Sequence, residues 1–211
     1  MGSKPIIRQF ELGRMANFTY FLGDSECRAI AVIDPGDDVD FLLKAAQKEG
    51  LQIESVLLTH GHYDHVGGVA ELTTDLGIPA YLSEHEAPFY TPACQRLLRT
   101  KDSEKLRVGT IEVECLHTPG HTPGCQCFYA NGNLFTGDTL FVDAVGRTDF
   151  PGGSSSALFQ SLQRIKALPD GTIVWPGHNY GATTQAALGQ LKVENPFLAC
   201  GTLEEFLDLT G

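Results

Sequence analysis

Basic residues are in short supply in this 211-residue chain: 15 lysines and arginines stand against 26 aspartates and glutamates, a formal net charge of −11. A phosphate-backbone partner needs a basic face, so nucleic acid is excluded. No apolar run approaches the roughly 20 residues of a membrane-spanning helix, and no membrane partner is expected. A secretory signal is also missing, because Met1-Gly2-Ser3-Lys4-Pro5 is polar and the apolar pair Ile6-Ile7 is followed by Arg8. The expected compartment is the cytoplasm. Cysteine is present without a pattern: Cys27, Cys94, Cys115, Cys125, Cys127 and Cys200 contain no paired CxxC spacing and are read as free thiols. No linker and no low-complexity tract interrupts the chain. A single domain over residues 1–211 is the expectation.

What is there is ordinary globular material, 42% hydrophobic and 19% charged. Short β-like runs alternate with helical stretches. Strands are expected at Asn17–Leu22, Arg28–Ile33, Ser55–Thr59 and Pro79–Leu82, then near Thr110–Leu116, Gln126–Tyr129, Leu134–Thr136 and Thr172–Trp175. Apolar spacing predicts helices over Val39–Glu49, Val66–Leu76, Ser154–Ala167 and Ala182–Val193. The stretch from Ser83 to Lys105, with Pro88 and Pro92, reads as an irregular excursion with one helical piece over Pro92–Arg99. This order implies an α/β protein, two sheets covered by helices on their outer faces.

The informative segment is Thr59-His60-Gly61-His62-Tyr63-Asp64-His65, four potential metal ligands within six residues in a strand-to-helix loop. It is not HExxH, in which a helical pair holds one zinc. Three further candidates stand where a strand gives way to a turn: His121 in Thr-Pro-Gly-His, Asp138 in Thr-Gly-Asp and His178 in Pro-Gly-His. A glycine beside each lets the backbone approach closely. Five imidazoles and two carboxylates without cysteine suit zinc, iron or manganese, and speak against a purely structural zinc site. The set closes if one carboxylate is shared. His60, His62 and His121 take one ion; Asp64, His65 and His178 take the other; Asp138 bridges. Two divalent ions so held, zinc foremost, sit roughly 3.5–4 Å apart and trap a bridging hydroxide. Asp64 and Asp138 are the carboxylates of the catalytic set. His85 reads as a solvated loop residue and His117 as a partly buried histidine behind the site. Asp34 is either a support for one of the ligand histidines or a turn cap.

These motifs resemble the metallo-β-lactamase superfamily, from Asp34-Pro35-Gly36 to Asn195-Pro196-Phe197-Leu198. Through Val145-Gly146-Arg147-Thr148-Asp149-Phe150-Pro151 the chain is similar to the glyoxalase II and persulfide dioxygenase branch. The resemblance implies an αββα sandwich of two mixed sheets with metals at one edge. It also implies a small-molecule substrate and leaves the oligomeric state open, a homodimer included. Two reactions follow from it. One is attack of the bridging hydroxide on a thioester such as S-D-lactoylglutathione. The other is oxidation of a persulfide at a single Fe(II) held by His60, His121 and Asp138. Tyr63 departs from the alanine of the dioxygenases and tilts the reading toward hydrolysis. Arg147 lies where related hydrolases place a basic residue for a glutathione carboxylate, its other reading being a salt bridge to Asp149. Asp149 departs from the tyrosine found nearby in glutathione-specific enzymes, and the C-terminal helical domain that supplies further glutathione contacts there has no room. Tyr180 either donates its phenol to substrate or lines the mouth.

Overall fold

The apolar runs Asn17–Asp24 and Ala29–Ile33 are buried along their whole length, and this fixes the centre of a sheet. In the computed structural model, which describes residues 5–210, they are strands β2 and β3. Around them lie β1 (Pro5–Leu12), β4 (Gln52–Leu57), β5 (Ala80–Ser83) and β6 (Leu97–Thr100), giving the order β1-β2-β3-β4-β5-β6. The β1-β2-β3 pairs are antiparallel and the β3-β4-β5-β6 pairs parallel. A second sheet contains β7 (Lys105–Val108), β8 (Ile111–His117), β9 (Gln126–Ala130), β10 (Asn133–Gly137), β11 (Ile173–Pro176) and β12 (Ala186–Ala187). Its order is β12-β11-β10-β9-β8-β7, with only the β10–β11 pair parallel.

Strand periodicity sorts the side chains into layers. Phe18, Tyr20 and Leu22 of β2 point toward Val113, Phe128 and Phe135 of the second sheet, forming the core between the sheets. Phe21, Ile30 and Val32 point the other way, against Leu42 of α1 (Val39–Glu49) and Leu72 of α3 (Val69–Leu76). On the far side, Leu134 and Val174 pack under Leu158 and Leu162 of α4 (Ser155–Lys166) and Leu191 of α5 (Leu188–Glu194). The short α6 (Pro196–Ala199) and α7 (Leu203–Thr210) complete that layer. The layers are therefore helix, sheet, sheet, helix, the expected αββα sandwich of mixed sheets. No helix among the described residues is long and apolar enough to cross a membrane.

Three expected helices are not formed as drawn. Leu97–Thr100 runs parallel to β5 as β6, and only Pro88–Tyr90 makes a helical turn, of the 3-10 kind. An open β5 edge would leave a row of unpaired backbone groups; Leu97–Thr100 satisfies them, with Ala80 N–H donating to Arg96 O at 3.0 Å. The stretch expected as a helix from Ala182 instead begins as a loop. There Ala182 N–H donates to Asp143, Ala186–Ala187 pair with β11, and the helix starts at Leu188. The helix expected from Val66 is split at Gly67-Gly68. A one-turn α2 (Tyr63–Val66) precedes α3, and Gly68 N–H donates to Pro35 O at 2.7 Å.

Candidate metal centre

At one edge of the sandwich the carboxyl ends of β4, β10 and β11 and the loop after β8 come together. Gln126 ties the sheets there, donating from its backbone to Thr59 O at 2.9 Å and from its side chain to Leu58 O at 2.9 Å. The loop after β4 delivers His60 and His62, α2 delivers Asp64 and His65, and the other loops bring His121, Asp138 and His178. Asp138 can enter the cage because Gly137 adopts φ +49, where a Cβ would also press on Thr59. Gly177 is needed for a different reason: a Cβ there would lie 2.5 Å from Asp138 Oδ1.

All seven predicted ligands converge. His62 Nδ1 lies 3.1 Å from His60 Nε2 and 2.9 Å from His121 Nε2. On the other side His65 Nε2 and His178 Nε2 are 3.1 Å apart, each 3.5 Å from Asp64 Oδ2. Asp138 stands between the groups, Oδ1 at 3.3 Å from His65 and Oδ2 at 3.4 Å from both His121 and His178.

The rear nitrogens of these rings are occupied. His65 Nδ1 donates to Asp34 Oδ2, His121 Nδ1 to Arg147 O at 2.7 Å and His178 Nδ1 to Met15 O at 2.9 Å. Thr59 donates its hydroxyl to Asp34 Oδ2, leaving its oxygen to accept from His60 Nδ1 at 3.1 Å. A proton on each Nδ1 leaves the Nε2 lone pair facing inward. Lone pairs so close repel unless a cation lies among them. Donor spacings of this size match the roughly 3.3 Å edge of a tetrahedron with metal–nitrogen bonds of about 2.0–2.1 Å. Asp138 Oδ1 is also buried without a hydrogen-bond donor. The residues present therefore fit divalent ions.

In the His60–His62 half of the cage the electrostatics agree with this; in the other half Asp138 draws protons onto His65 and His178, which a bound cation would displace. Burial, then His65, pushes His60 well below the usual histidine range. Burial and then His121 lower His62 to about 4, so its inward nitrogen is free of a proton at neutral pH. Burial raises Asp138, but the surrounding His65, His178 and His60 outweigh it and hold the carboxyl well below its usual range. Burial lowers His65 and His178 in turn, and Asp138 outweighs it at both, leaving them raised.

Asp34 stands behind the cage. Its carboxylate accepts from Thr59 N–H at 2.8 Å, from the Thr59 hydroxyl and from His65, so its oxygens already have donors. It approaches His60 and His65 closely enough to count as a ligand, but it faces the rear of the His65 ring. Sequence reading missed two supports. Asn17 donates to Asp64 Oδ2 at 2.9 Å, and buried Glu86 accepts from Gly61 N–H at 3.0 Å and from the Thr122 hydroxyl at 2.8 Å. Neither sits in a motif. His117 lies outside the cage, donating from Nε2 to Pro123 O and stacked on the half-exposed His85. Arg147 forms the salt bridge with Asp149, and its guanidinium covers the Phe150 ring at 4.6 Å. Tyr180 donates its phenol to Met15 O at 3.1 Å and stacks on His178.

A family model for the metallo-beta-lactamase superfamily matches residues 12–178. The chain belongs to this superfamily. One relative is the probable polyketide biosynthesis zinc-dependent hydrolase PksB of Bacillus subtilis, 31% identical over 90% of this chain and 85% of its own. The persulfide dioxygenase ETHE1 of Homo sapiens is 32% identical over 100% of this chain and 82% of its own length. A hydroxyacylglutathione hydrolase of Alkalilimnicola ehrlichii is 35% identical over 86% of this chain and 69% of its own. Among solved structures, ETHE1 from Myxococcus xanthus superposes with a TM-score of 0.89 at 32% identity, over 97% of this chain and 89% of that one. TTHA1623 in a di-iron-bound form gives 0.79 at 35% identity, over 90% and 99%. Of these, one is named a zinc-dependent hydrolase, one a persulfide dioxygenase, and one solved structure is di-iron-bound; superfamily members are metal-dependent enzymes.

Proposed function

We propose that the chain is a metal-dependent hydrolase acting on a small-molecule thioester. The observation that carries this reading is Asp138, buried, lacking a donor at Oδ1 and set between two complete donor clusters. His60, His62 and His121 would hold one ion and Asp64, His65 and His178 a second, with Asp138 shared. The donors are all nitrogen and carboxylate oxygen, so zinc is the first choice and iron or manganese the next. Divalent ions held there supply Lewis acidity toward a carbonyl and a water acidified to a pKa of about 7. The protein's own part is to turn the inward nitrogens toward the ions and to keep the ring planes fixed. Asp34, Met15 O and Arg147 O do this from behind. A thiolate leaves with little help from a general acid, and the phenols at the mouth, turned onto protein acceptors, offer none.

A second reading, a persulfide dioxygenase with a single Fe(II) at His60, His121 and Asp138, is favoured by the similarity to ETHE1 along nearly the whole chain. Metal analysis after native expression separates the two. Hydrolysis predicts close to two ions per chain, thioester turnover, and at least a hundredfold loss with reduced metal content in Asp138→Ala. One iron per chain with rapid oxygen uptake on glutathione persulfide would overturn the hydrolase reading.

A further inference from the structure

Above the cage the pocket opens through a cavity of about 660 Å³. Its walls and rim include Met15, Tyr63, Tyr90, Phe141, Phe150 and Tyr180. Tyr63 is 75% exposed and Tyr180 50%, and with the neighbouring rings they line one opening as a contiguous patch. The polar handles of this rim are already engaged. Tyr63 donates its phenol to Met15 sulfur at 3.1 Å, Tyr90 to Pro151 O at 3.3 Å and Tyr180 to Met15 O. The one lysine or arginine among the described lining residues is Arg147, whose Nε and Nη2 both donate to Asp149 while its face covers Phe150. What the mouth offers an incoming molecule is ring surface.

At the rim, above the cage and whatever ions it holds, an anionic group meets no lysine or arginine other than Arg147, which is already paired with Asp149. Burying a charge without a partner is costly, whereas an apolar group gains from ring contact. We propose that this mouth selects thioesters whose acyl part is an apolar chain or ring and whose thiol part carries no carboxylate within the pocket. The proposal rests on the thioester reading above. In the reaction water adds its oxygen to the carbonyl carbon, the carbon–sulfur bond breaks, and the sulfur departs with the bonding pair. The products are a carboxylate, a thiol and one released proton, with no change of oxidation state.

The test uses the metal-loaded protein and N-acetylcysteamine thioesters, whose thiol part is neutral. From acetyl to hexanoyl, kcat/KM should rise two- to fourfold per methylene, as burial of about 0.8 kcal/mol per methylene at most implies. Phenylacetyl should equal or exceed hexanoyl. For one acyl group the glutathione thioester should be no better than its N-acetylcysteamine counterpart, and Arg147→Ala should leave that ratio unchanged. Phe150→Ala and Tyr180→Ala should flatten the chain-length series, and Tyr180→Phe should preserve it. A flat or falling series overturns the proposal. So does a tenfold preference for glutathione that Arg147→Ala abolishes. Calorimetric titration gives an independent readout: phenylacetate should bind at least tenfold tighter than acetate, and S-methylglutathione, whose sulfur is blocked, no tighter than acetate. If no thioester is hydrolysed the thioesterase reading fails, and the calorimetric ranking alone then decides whether the mouth is selective for apolar groups.

Discussion

Glu86 joins the two loops of the cage from beneath, with one carboxylate oxygen on Gly61 N–H beside His60 and on the Thr122 hydroxyl beside His121. Replacing it by alanine strands both buried groups, each at a cost of about 1–3 kcal/mol. Glu86→Ala should therefore lower the urea midpoint and weaken metal retention, and Glu86→Gln, which keeps an acceptor in place, should lose clearly less; equal losses in the two variants would remove this role. In the sequence Glu86 follows Glu84 and His85 and looks like solvated loop. Its burial is imposed by Gly61 and Thr122, 25 and 36 residues away, and no local pattern encodes that. The seven cage residues were legible for the opposite reason: histidine and aspartate recur beside glycine at strand ends, a local signature. For Arg147 the sequence supported two roles, and its fork is found on Asp149.

The elements that were legible carry their own periodicity and punctuation. Helix α1 is bounded as expected, with Asp38 accepting from Phe41 N–H at its start and Gly50 in the left-handed region at its end. Strands β1, β6, β7 and β12 were not anticipated, because each is short or lies at a sheet margin where pairing partners decide the conformation. Helix α4 also does more than cover a sheet. Its Arg164 donates to Asp102 Oδ1 at 2.6 Å and to His117 O at 3.1 Å, fastening the turn between β6 and β7. Partial burial raises Asp102, but Arg164 and the His117 N–H outweigh it and hold the carboxyl below its usual range. A depressed folded pKa stabilises above the unfolded value of about 3.9, and the benefit is lost as pH falls through the folded pKa. Urea midpoints of the parent and Asp102→Asn should therefore differ by a constant amount at pH 5–7 and converge below about pH 4. A difference that does not shrink at all between pH 5 and pH 2 would assign the effect to shape and not to charge.

Across the whole molecule the thiols report which layers are sealed. Cys115 and Cys127 lie inside the sheets, where burial pushes their thiols up to about 12 and about 11, and burial also raises Cys125 well above the usual thiol range. All six cysteines are free, and Cys27 alone among them is exposed. Under native conditions one equivalent of a thiol reagent should react quickly, half-buried Cys94 more slowly, and the other four only on unfolding; rapid release of three or more would contradict the packing described. Cage donors are drawn from residue 60 to residue 178, and one ring is braced by Met15 near the beginning of the chain. During synthesis, which proceeds from the N-terminus, the His60-to-His65 segment emerges long before His178 is made. A nascent chain can thus offer a few loose imidazoles but never the finished enclosure. The enclosure, and with it any discrimination among ions, exists only once the segment through His178 has been made and folded against the rest.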